Sequence, residues 1–105
     1  MLNIVLLCAG GASTGMLAKK MQEEADKAGL KASIRADGIG VATTAGANAD
    51  IILLGPQVGY RAKEVEAALP GKPISVMNMM DYGRINAKKI LVDAIKTVKK
   101  ARAKA

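Results

Sequence analysis

A single cysteine stands beside a run of small residues near the start of the chain, in a pattern suited to binding an anion next to a nucleophile. Cys8 is followed by Ala9, Gly10, Gly11, Ala12, Ser13, Thr14 and Gly15, with Met16 next. Glycines let main-chain N–H groups converge on one point, and the first turn of a helix adds unpaired N–H donors and the positive end of its dipole. We therefore predict that residues 9–16 bind a phosphate-sized anion beside Cys8 Sγ, with further hydrogen bonds from the Ser13 and Thr14 hydroxyls.

The same local field favours the thiolate form of Cys8, which is the form that attacks an electrophile. The alternative interpretation is that Cys8 is a small apolar residue that closes a strand, as many lone cysteines do. An inert cysteine does not need a loop of main-chain donors beside it. The context therefore favours Cys8 as a nucleophile.

The residues around this loop indicate a strand before it and a helix after it. Ile4-Val5-Leu6-Leu7 is a short apolar run typical of a buried strand that ends at Cys8. Helical spacing of apolar residues begins at Met16 and Leu17, and Gly29 stops the helix. An edge strand is expected over residues 31–36 and a short helix over residues 41–45.

Two more strands and two more helices follow in alternation. Residues 50–54 form a second apolar run, bounded by Gly55-Pro56, and predict a central parallel strand. A helix is expected from Val58 to Leu69, a fourth strand over residues 73–76, a connection over residues 78–83, and a long amphipathic helix from about Asn86.

This alternation predicts an α/β fold of three layers, α/β/α, with a four-stranded parallel sheet in the order 2-1-3-4. The switch point then lies between the first and third strands, where the Cys8 loop begins. Gln57 belongs to the loop after the third strand, at the same edge. Its amide could orient the loop or the phosphate, or it could simply start the helix after Pro56.

Composition limits the chemistry and the compartment. The chain has 105 residues, half of them apolar, which suits a single domain over residues 1–105. One cysteine excludes an internal disulfide, and the absence of histidine removes Cys-His catalysis and histidine metal sites. No stretch approaches the roughly 20 apolar residues of a membrane span. We therefore expect a cytoplasmic protein without a metal or cofactor.

The net charge of +7 is concentrated at the end of the chain. Residues 88–105 carry seven basic side chains and one acidic side chain, which together account for six of the seven net charges. A solvated helix face explains this most simply, and attraction to an acidic partner or a membrane surface is the alternative. A basic nucleic-acid-binding module is a weaker possibility, because the chain lacks an aromatic stacking platform.

The cysteine loop resembles the active-site loop of enzyme IIB of the bacterial phosphoenolpyruvate-dependent sugar phosphotransferase system, lactose/cellobiose class. The resemblance extends through residues 48–50, through Leu53-Leu54-Gly55-Pro56-Gln57-Val58, and through Tyr82-Gly83 before the last helix. It covers nearly the whole chain. Together with the cysteine loop, Leu-Leu-Gly-Pro-Gln at this spacing is a specific pattern.

The resemblance implies a phosphoryl carrier that uses a phosphocysteine. A phosphohistidine of enzyme IIA would donate its phosphoryl group to Cys8, which would pass it to a sugar bound in the membrane subunit IIC. A β-linked disaccharide is the expected sugar. The resemblance also implies that IIC recruits the chain to the inner face of the membrane and that no cofactor is needed.

The fold class and the cysteine loop are also similar to those of low-molecular-weight phosphatases and arsenate reductases, within the flavodoxin-like group of folds. Their loop is Cys-x5-Arg, and here Thr14 stands where they have the arginine. Those enzymes also use an aspartic acid that protonates the leaving group. Asp81 is the only plausible residue for that role here, and a role as an N-cap or turn residue explains it more simply.

Several other residues receive simple packing interpretations. Tyr60 and Tyr82 are expected to be half-buried rather than part of a partner surface. Met77, Met79 and Met80 are expected to fill the core near the last strand rather than form a docking patch. Gly55 and Gly59 are expected to relieve crowding. No exposed apolar stripe is evident, so we expect a monomer.

Overall fold

A computed structural model describes residues 1–9 and 12–103, with the main chain alone for residues 12 and 13. Its four strands form one sheet in the order β2-β1-β3-β4, and every pair is parallel. The strands are β1 (Leu2–Cys8), β2 (Ala32–Gly38), β3 (Ile51–Leu54) and β4 (Ile74–Val76). The predicted strand order 2-1-3-4 is confirmed.

Within the described residues, five helices connect or follow these strands. They are α1 (Ala12–Lys27), α2 (Ala42–Ala45), α3 (Ala62–Ala68), α4 (Met79–Gly83) and α5 (Ala87–Ala103). Short 3-10 turns, Ile39–Val41 and Pro56–Arg61, precede α2 and α3. No helix in the described ranges combines the length and apolarity needed to cross a bilayer.

The helices cover both faces of the sheet, and β1 supplies side chains to both. Ile4 and Leu6 belong to the larger core cluster, which includes buried residues of α1 and α5. Val5 and Leu7 point to the opposite face and belong to a second cluster with residues of α2 and α3. Because side chains alternate along a strand, β1 is buried on both sides. The predicted three-layer α/β/α architecture is confirmed.

Gly29 ends α1 as predicted. It adopts φ +70°, and the Leu30 N–H donates to the Ala25 carbonyl at 2.9 Å, while the Gly29 N–H donates to the Asp26 carbonyl at 3.1 Å. This is a Schellman-type cap, in which a glycine takes the left-handed conformation. The chain then turns directly into β2.

Three elements depart most from the sequence predictions. Helix α1 begins at Ala12, four residues before Met16, because the small residues after Cys8 continue into its first turn. The helix predicted from Val58 starts as a 3-10 turn and becomes α3 only at Ala62. The predicted connection over residues 78–83 contains α4, whose N-cap Asn78 accepts hydrogen bonds from the main chain of Met80 and Asp81.

Candidate active site

Cys8 is the last residue of β1, at the carboxyl edge of the sheet and in a central strand. It is paired in register with Gly38 of β2, and the Gly55 N–H donates to the Leu7 carbonyl at 2.8 Å on the β3 side. The cysteine is 6% exposed. Alternation along β1 places its side chain on the same face as Leu6, the face covered by α1 and α5. Cys8 therefore lies at the predicted switch point, with little of its surface open to solvent.

The amino end of α1 lies four residues after Cys8 in the chain. Ala9 is exposed, Gly10 and Gly11 lie outside the described residues, and α1 begins at Ala12. The first main-chain N–H groups of a helix have no acceptor within it, so residues 12–14 supply N–H donors at this end. The first turn contains no acidic residue that would repel an anion. These features make the end of α1 electrostatically favourable for an anion.

The early start of α1 bears on the predicted N–H donors. Gly15 and Met16 lie beyond the first three residues of the helix. That their N–H groups bind phosphate stays a prediction. The Ser13 side chain, also predicted to contribute, lies outside the described part of the structure.

The Thr14 hydroxyl faces the protein interior. Thr14 is 1% exposed, and its Oγ1 lies 2.9 Å from the hydroxyl oxygen of Tyr82. The hydroxyl therefore contacts α4, and its binding of phosphate stays a prediction. The contact was not predicted from the sequence, although Thr14 stands three and seven residues before Leu17 and Met21, which are buried on α1. That helical spacing indicates the buried face.

The loop after β3 lies against Cys8. A Cβ placed on Gly55 would lie 3.3 Å from Cys8 Cβ and 3.1 Å from Gln57 Oε1. Gly55 has an ordinary extended backbone, so close packing rather than an unusual φ requires glycine here. Close packing also requires glycine at position 59, where an added Cβ would lie 3.1 Å from Val76 Cγ1. Both glycines relieve crowding, as predicted, and the exposed Gln57 reaches back toward the Cys8 edge.

Asp81 is engaged in an ion pair on α4. Lys89 Nζ lies 3.3 Å from Asp81 Oδ2 and 3.0 Å from Asp93 Oδ2. Its hydrogen bond to Asp93, followed by that to Asp81, raises the pKa of Lys89. The N-cap role expected for Asp81 belongs instead to Asn78, and Asp81 occupies the first turn of α4. Its contact with Lys89 does not suit it to donate a proton at Cys8.

A second carboxylate stands at the carboxyl edge and was not singled out from the sequence. Asp37 pairs in register with Leu7, and its Oδ2 is buried without a hydrogen bond, 3.7 Å from an Arg35 nitrogen. Side chains in register on parallel strands share a face, so Asp37 lies on the face of Leu7 and away from Cys8. In the part of the chain that the structure describes, no three carboxylate or cysteine side chains come close enough together to hold a metal ion.

Exposed apolar side chains are concentrated around this edge. Most of the large apolar residues that are exposed in the described ranges end a strand or follow the carboxyl end of one. We call these six the apolar rim: Met16 (52% exposed), Val41 (52%), Tyr60 (82%), Val76 (44%), Met79 (74%) and Met80 (62%).

The apolar rim corrects three expectations. Tyr60 is exposed rather than half-buried, whereas Tyr82 is partly buried as predicted. Met77 is buried as predicted, but Met79 and Met80 are on the surface. The monomer was expected because no exposed apolar stripe was evident, and that basis was wrong.

Comparison with known proteins gives a consistent assignment. The family model "PTS system, Lactose/Cellobiose specific IIB subunit" matches residues 3–93. The galactose-specific EIIB component of Lactococcus lactis subsp. cremoris is 38% identical over 98 residues, which cover 87% of this chain and 91% of that protein. The cellobiose-specific EIIB component of Lactococcus lactis subsp. lactis is also 38% identical over 98 residues, with the same coverage.

A solved structure supports the same assignment. The solution structure of the cellobiose-specific phosphotransferase IIB component from Borrelia burgdorferi superimposes with a TM-score of 0.79 and 31% identity, covering 95% of this chain and 94% of that one. The match of a family model over most of the chain, with relatives and a fold of the same kind, shows the family. This chain belongs to the lactose/cellobiose-specific IIB subunits of the sugar phosphotransferase system.

Proposed function

We propose that this chain, acting as one IIB domain, is a phosphoryl carrier in which Cys8 accepts a phosphoryl group from a phosphohistidine of enzyme IIA. Cys8 then passes the group to a sugar bound by the membrane subunit IIC. IIB components are subunits of the phosphotransferase system. The proposal adds to this the covalent phosphocysteine, the donor and the acceptor.

Each transfer exchanges one bond to phosphorus for another. In the first, the Cys8 thiolate attacks phosphorus, the P–N bond of phosphohistidine breaks, a P–S bond forms, and the released imidazole takes up a proton. In the second, a sugar hydroxyl attacks phosphorus and loses its proton to solvent, while the P–S bond breaks and the thiolate leaves. Such transfers depend chiefly on position and electrostatic stabilisation, so few additional groups are needed.

The observation that supports this proposal most directly is the position of Cys8. The chain's single cysteine ends a central strand at the switch point and is followed within four residues by the amino end of a 16-residue helix. The N–H groups of residues 12–14 and the helix dipole would stabilise the equatorial oxygens of a transferring phosphoryl group. The absence of an acidic residue from that first turn supports the same chemistry.

The apolar rim supports protein partners rather than a small-molecule substrate. Its exposed methionines and Tyr60 surround the edge at which Cys8 ends, and adaptable methionine side chains suit a surface that meets two different partners in turn. IIA and IIC would use this surface successively, and binding to IIC would bring the chain to the inner face of the membrane.

We propose a β-linked disaccharide as the sugar. Cellobiose, which has a β linkage, gives its name to one of the relatives and to the solved neighbour. The sugar itself would be held by IIC, so this chain would meet only the hydroxyl that receives the phosphoryl group.

The described residues disfavour the alternative of a phosphatase or arsenate reductase. Those enzymes use an arginine where this chain has Thr14, and here that side chain is buried against Tyr82. Arg35 of β2 is paired with Asp37, and Arg61, at the end of the 3-10 turn after β3, is paired with Glu64. Because threonine replaces the arginine that binds the anion in those enzymes, a phosphocysteine would hydrolyse slowly, which suits a carrier.

Intact-mass analysis after incubation with phosphoenolpyruvate and the upstream phosphocarriers tests the proposal. We expect the wild-type chain to gain one phosphate and to lose it again when IIC and its sugar are added. Cys8→Ser should keep the fold, judged by its denaturant midpoint, and gain no phosphate. A wild-type chain that is never phosphorylated, or a Cys8→Ser chain that is phosphorylated equally, would overturn the proposal.

A further inference from the structure

The hydrogen bond between Thr14 and Tyr82 joins α1 to α4 beside the candidate active site. Thr14 is the one polar residue with a buried side chain among those that the structure describes, at 1% exposure. Its Oγ1 lies 2.9 Å from the Tyr82 hydroxyl, across 68 residues of sequence. A buried hydroxyl is costly without a partner, so each of these residues satisfies a polar group of the other.

Tyr82 is held in place independently of Thr14. Its main-chain N–H donates to the Asn78 carbonyl at 2.9 Å, and Asn78 Oδ1 accepts from the main chain of Met80 and Asp81 at 2.9 and 3.1 Å. Lys89 of α5 lies 3.3 Å from Asp81 Oδ2. The Tyr82 side chain also packs against the larger core cluster. Contacts with α5 and the core therefore hold α4 in place, and with it the Tyr82 hydroxyl.

Thr14, by contrast, belongs to the element that must be positioned. It is the third residue of α1, and its own N–H is among the donors at the amino end of that helix. The first turn moves with the Thr14 side chain, because the helical main chain is rigid over such a short distance. A contact that fixes Thr14 therefore fixes the first-turn N–H groups relative to Cys8.

We infer that Tyr82 is a positioning residue, which acts through Thr14 to hold the first turn of α1 in the geometry that binds an anion beside Cys8. The inference rests on the function proposed above. Tyr82 itself would not touch the phosphoryl group. Errors of a fraction of an ångström in such donors lower rates and affinities, so this role should be measurable even where the fold is unchanged.

Protection of Cys8 from alkylation by inorganic phosphate tests the inference without any partner protein. Cys8 is the chain's single cysteine, so its labelling by iodoacetamide reports on this site alone. We expect Tyr82→Phe and Thr14→Val each to raise the phosphate concentration that gives half-protection by about three- to tenfold, the effect of losing one hydrogen bond. Thr14→Ser, which keeps the hydroxyl, should recover most of the wild-type value.

The double variant Tyr82→Phe/Thr14→Val distinguishes a shared role from two separate ones. If the two hydroxyls act as a pair, the double variant should be no worse than either single variant. Thr97→Val is the matched control: it removes a threonine hydroxyl that donates to the Asp93 carbonyl at 2.9 Å within α5. It should leave the half-protecting concentration unchanged. Denaturant midpoints show that each variant is folded.

The inference is overturned if Tyr82→Phe is protected like the wild type, if the effects of the two substitutions add, or if phosphate does not protect wild-type Cys8. Failure of the proposed function is a separate result. A wild-type chain that phosphate protects, with the expected pattern among the variants, would support the positioning role even if IIA does not phosphorylate it.

Discussion

Asp50 and Arg102 link the start of the third strand to the end of the last helix. Arg102 Nη2 lies 2.9 Å from Asp50 Oδ1, while Asp50 Oδ2 accepts a hydrogen bond of 2.7 Å from the Asn3 main-chain N–H. Asp50 and Asn3 lie at the amino edge of the sheet, so the basic end of α5 is at the opposite edge from Cys8. The basic residues at the end of α5 are therefore remote from the candidate active site.

Asp50→Ala should destabilise the fold by about 1–3 kcal/mol, because it leaves the part-buried Asn3 N–H without its acceptor. Arg102→Met, the matched control, should cost less than about 1 kcal/mol, because it breaks only an ion pair whose arginine is 65% exposed. Urea unfolding of both variants measures the difference. Equal losses would show that the ion pair, rather than the main-chain contact, is what Asp50 contributes.

Gly55→Ala should impair the Cys8 site more than the fold. The added methyl would lie 3.1 Å from Gln57 Oε1, which can turn away, and 3.3 Å from Cys8 Cβ, which belongs to a central strand and must shift slightly. We expect phosphoryl transfer to fall about tenfold, with a loss of stability near 1 kcal/mol. Gly40→Ala, whose added Cβ would have no atom within 4 Å, is the control. Transfer at the wild-type rate by Gly55→Ala would contradict this account of the close packing.

The strand order and the layers were predictable because they depend on hydrophobic pattern. The apolar runs of β1 and β3 are continuous, as expected for strands buried on both faces, and Gly29 marks the end of α1. The start of α1 was not predictable from apolar spacing, because Ala12 to Gly15 carry almost no side-chain bulk. In such a stretch the helix is set by tertiary packing, here the burial of Thr14.

The candidate site was predictable in its position but not in its contacts. A lone cysteine at the end of a central strand, before small residues, indicates where chemistry would occur. The pairing of Thr14 with Tyr82 depends on how α1 and α4 meet, and nothing in local sequence specifies that meeting. Exposure of Met79 and Met80 was missed for a related reason: α4 is short and lies on the surface, so its apolar residues do not reach the core.

Substituting the exposed methionines of α4 should separate partner binding from chemistry. Met79→Asp/Met80→Asp places charge on side chains that are 74% and 62% exposed, in a first helical turn that favours acidic residues. We expect the KM for phosphorylated IIA to rise about tenfold or more, while phosphate protection of Cys8 is unchanged. Val92→Asp, on α5 and 40% exposed, is the control and should leave KM unaltered. An unchanged KM in the double variant would show that IIA docks elsewhere.

The ion pairs of Lys89 should stabilise the folded state at neutral pH and lose this effect at alkaline pH. It bridges Asp81 of α4 and Asp93 of α5, and its hydrogen bonds to Asp93 and then to Asp81 raise its pKa above the ordinary lysine value of 10.5. A group whose pKa is raised by folding stabilises the folded state fully below its unfolded pKa and loses that contribution as pH rises through its folded pKa.

Lys89→Met should therefore be less stable than the wild type at neutral pH, with the difference shrinking as pH rises above 10.5. Because Lys89 is 55% exposed, the neutral-pH effect should be small and weakened by salt. Lys88→Met removes an exposed cation that makes no ion pair within the described residues, so its effect should not vary in this way. Guanidinium would screen the pair, so urea unfolding across a pH series is the suitable measurement. A Lys89→Met difference that is constant with pH would contradict a contribution through the charge of Lys89.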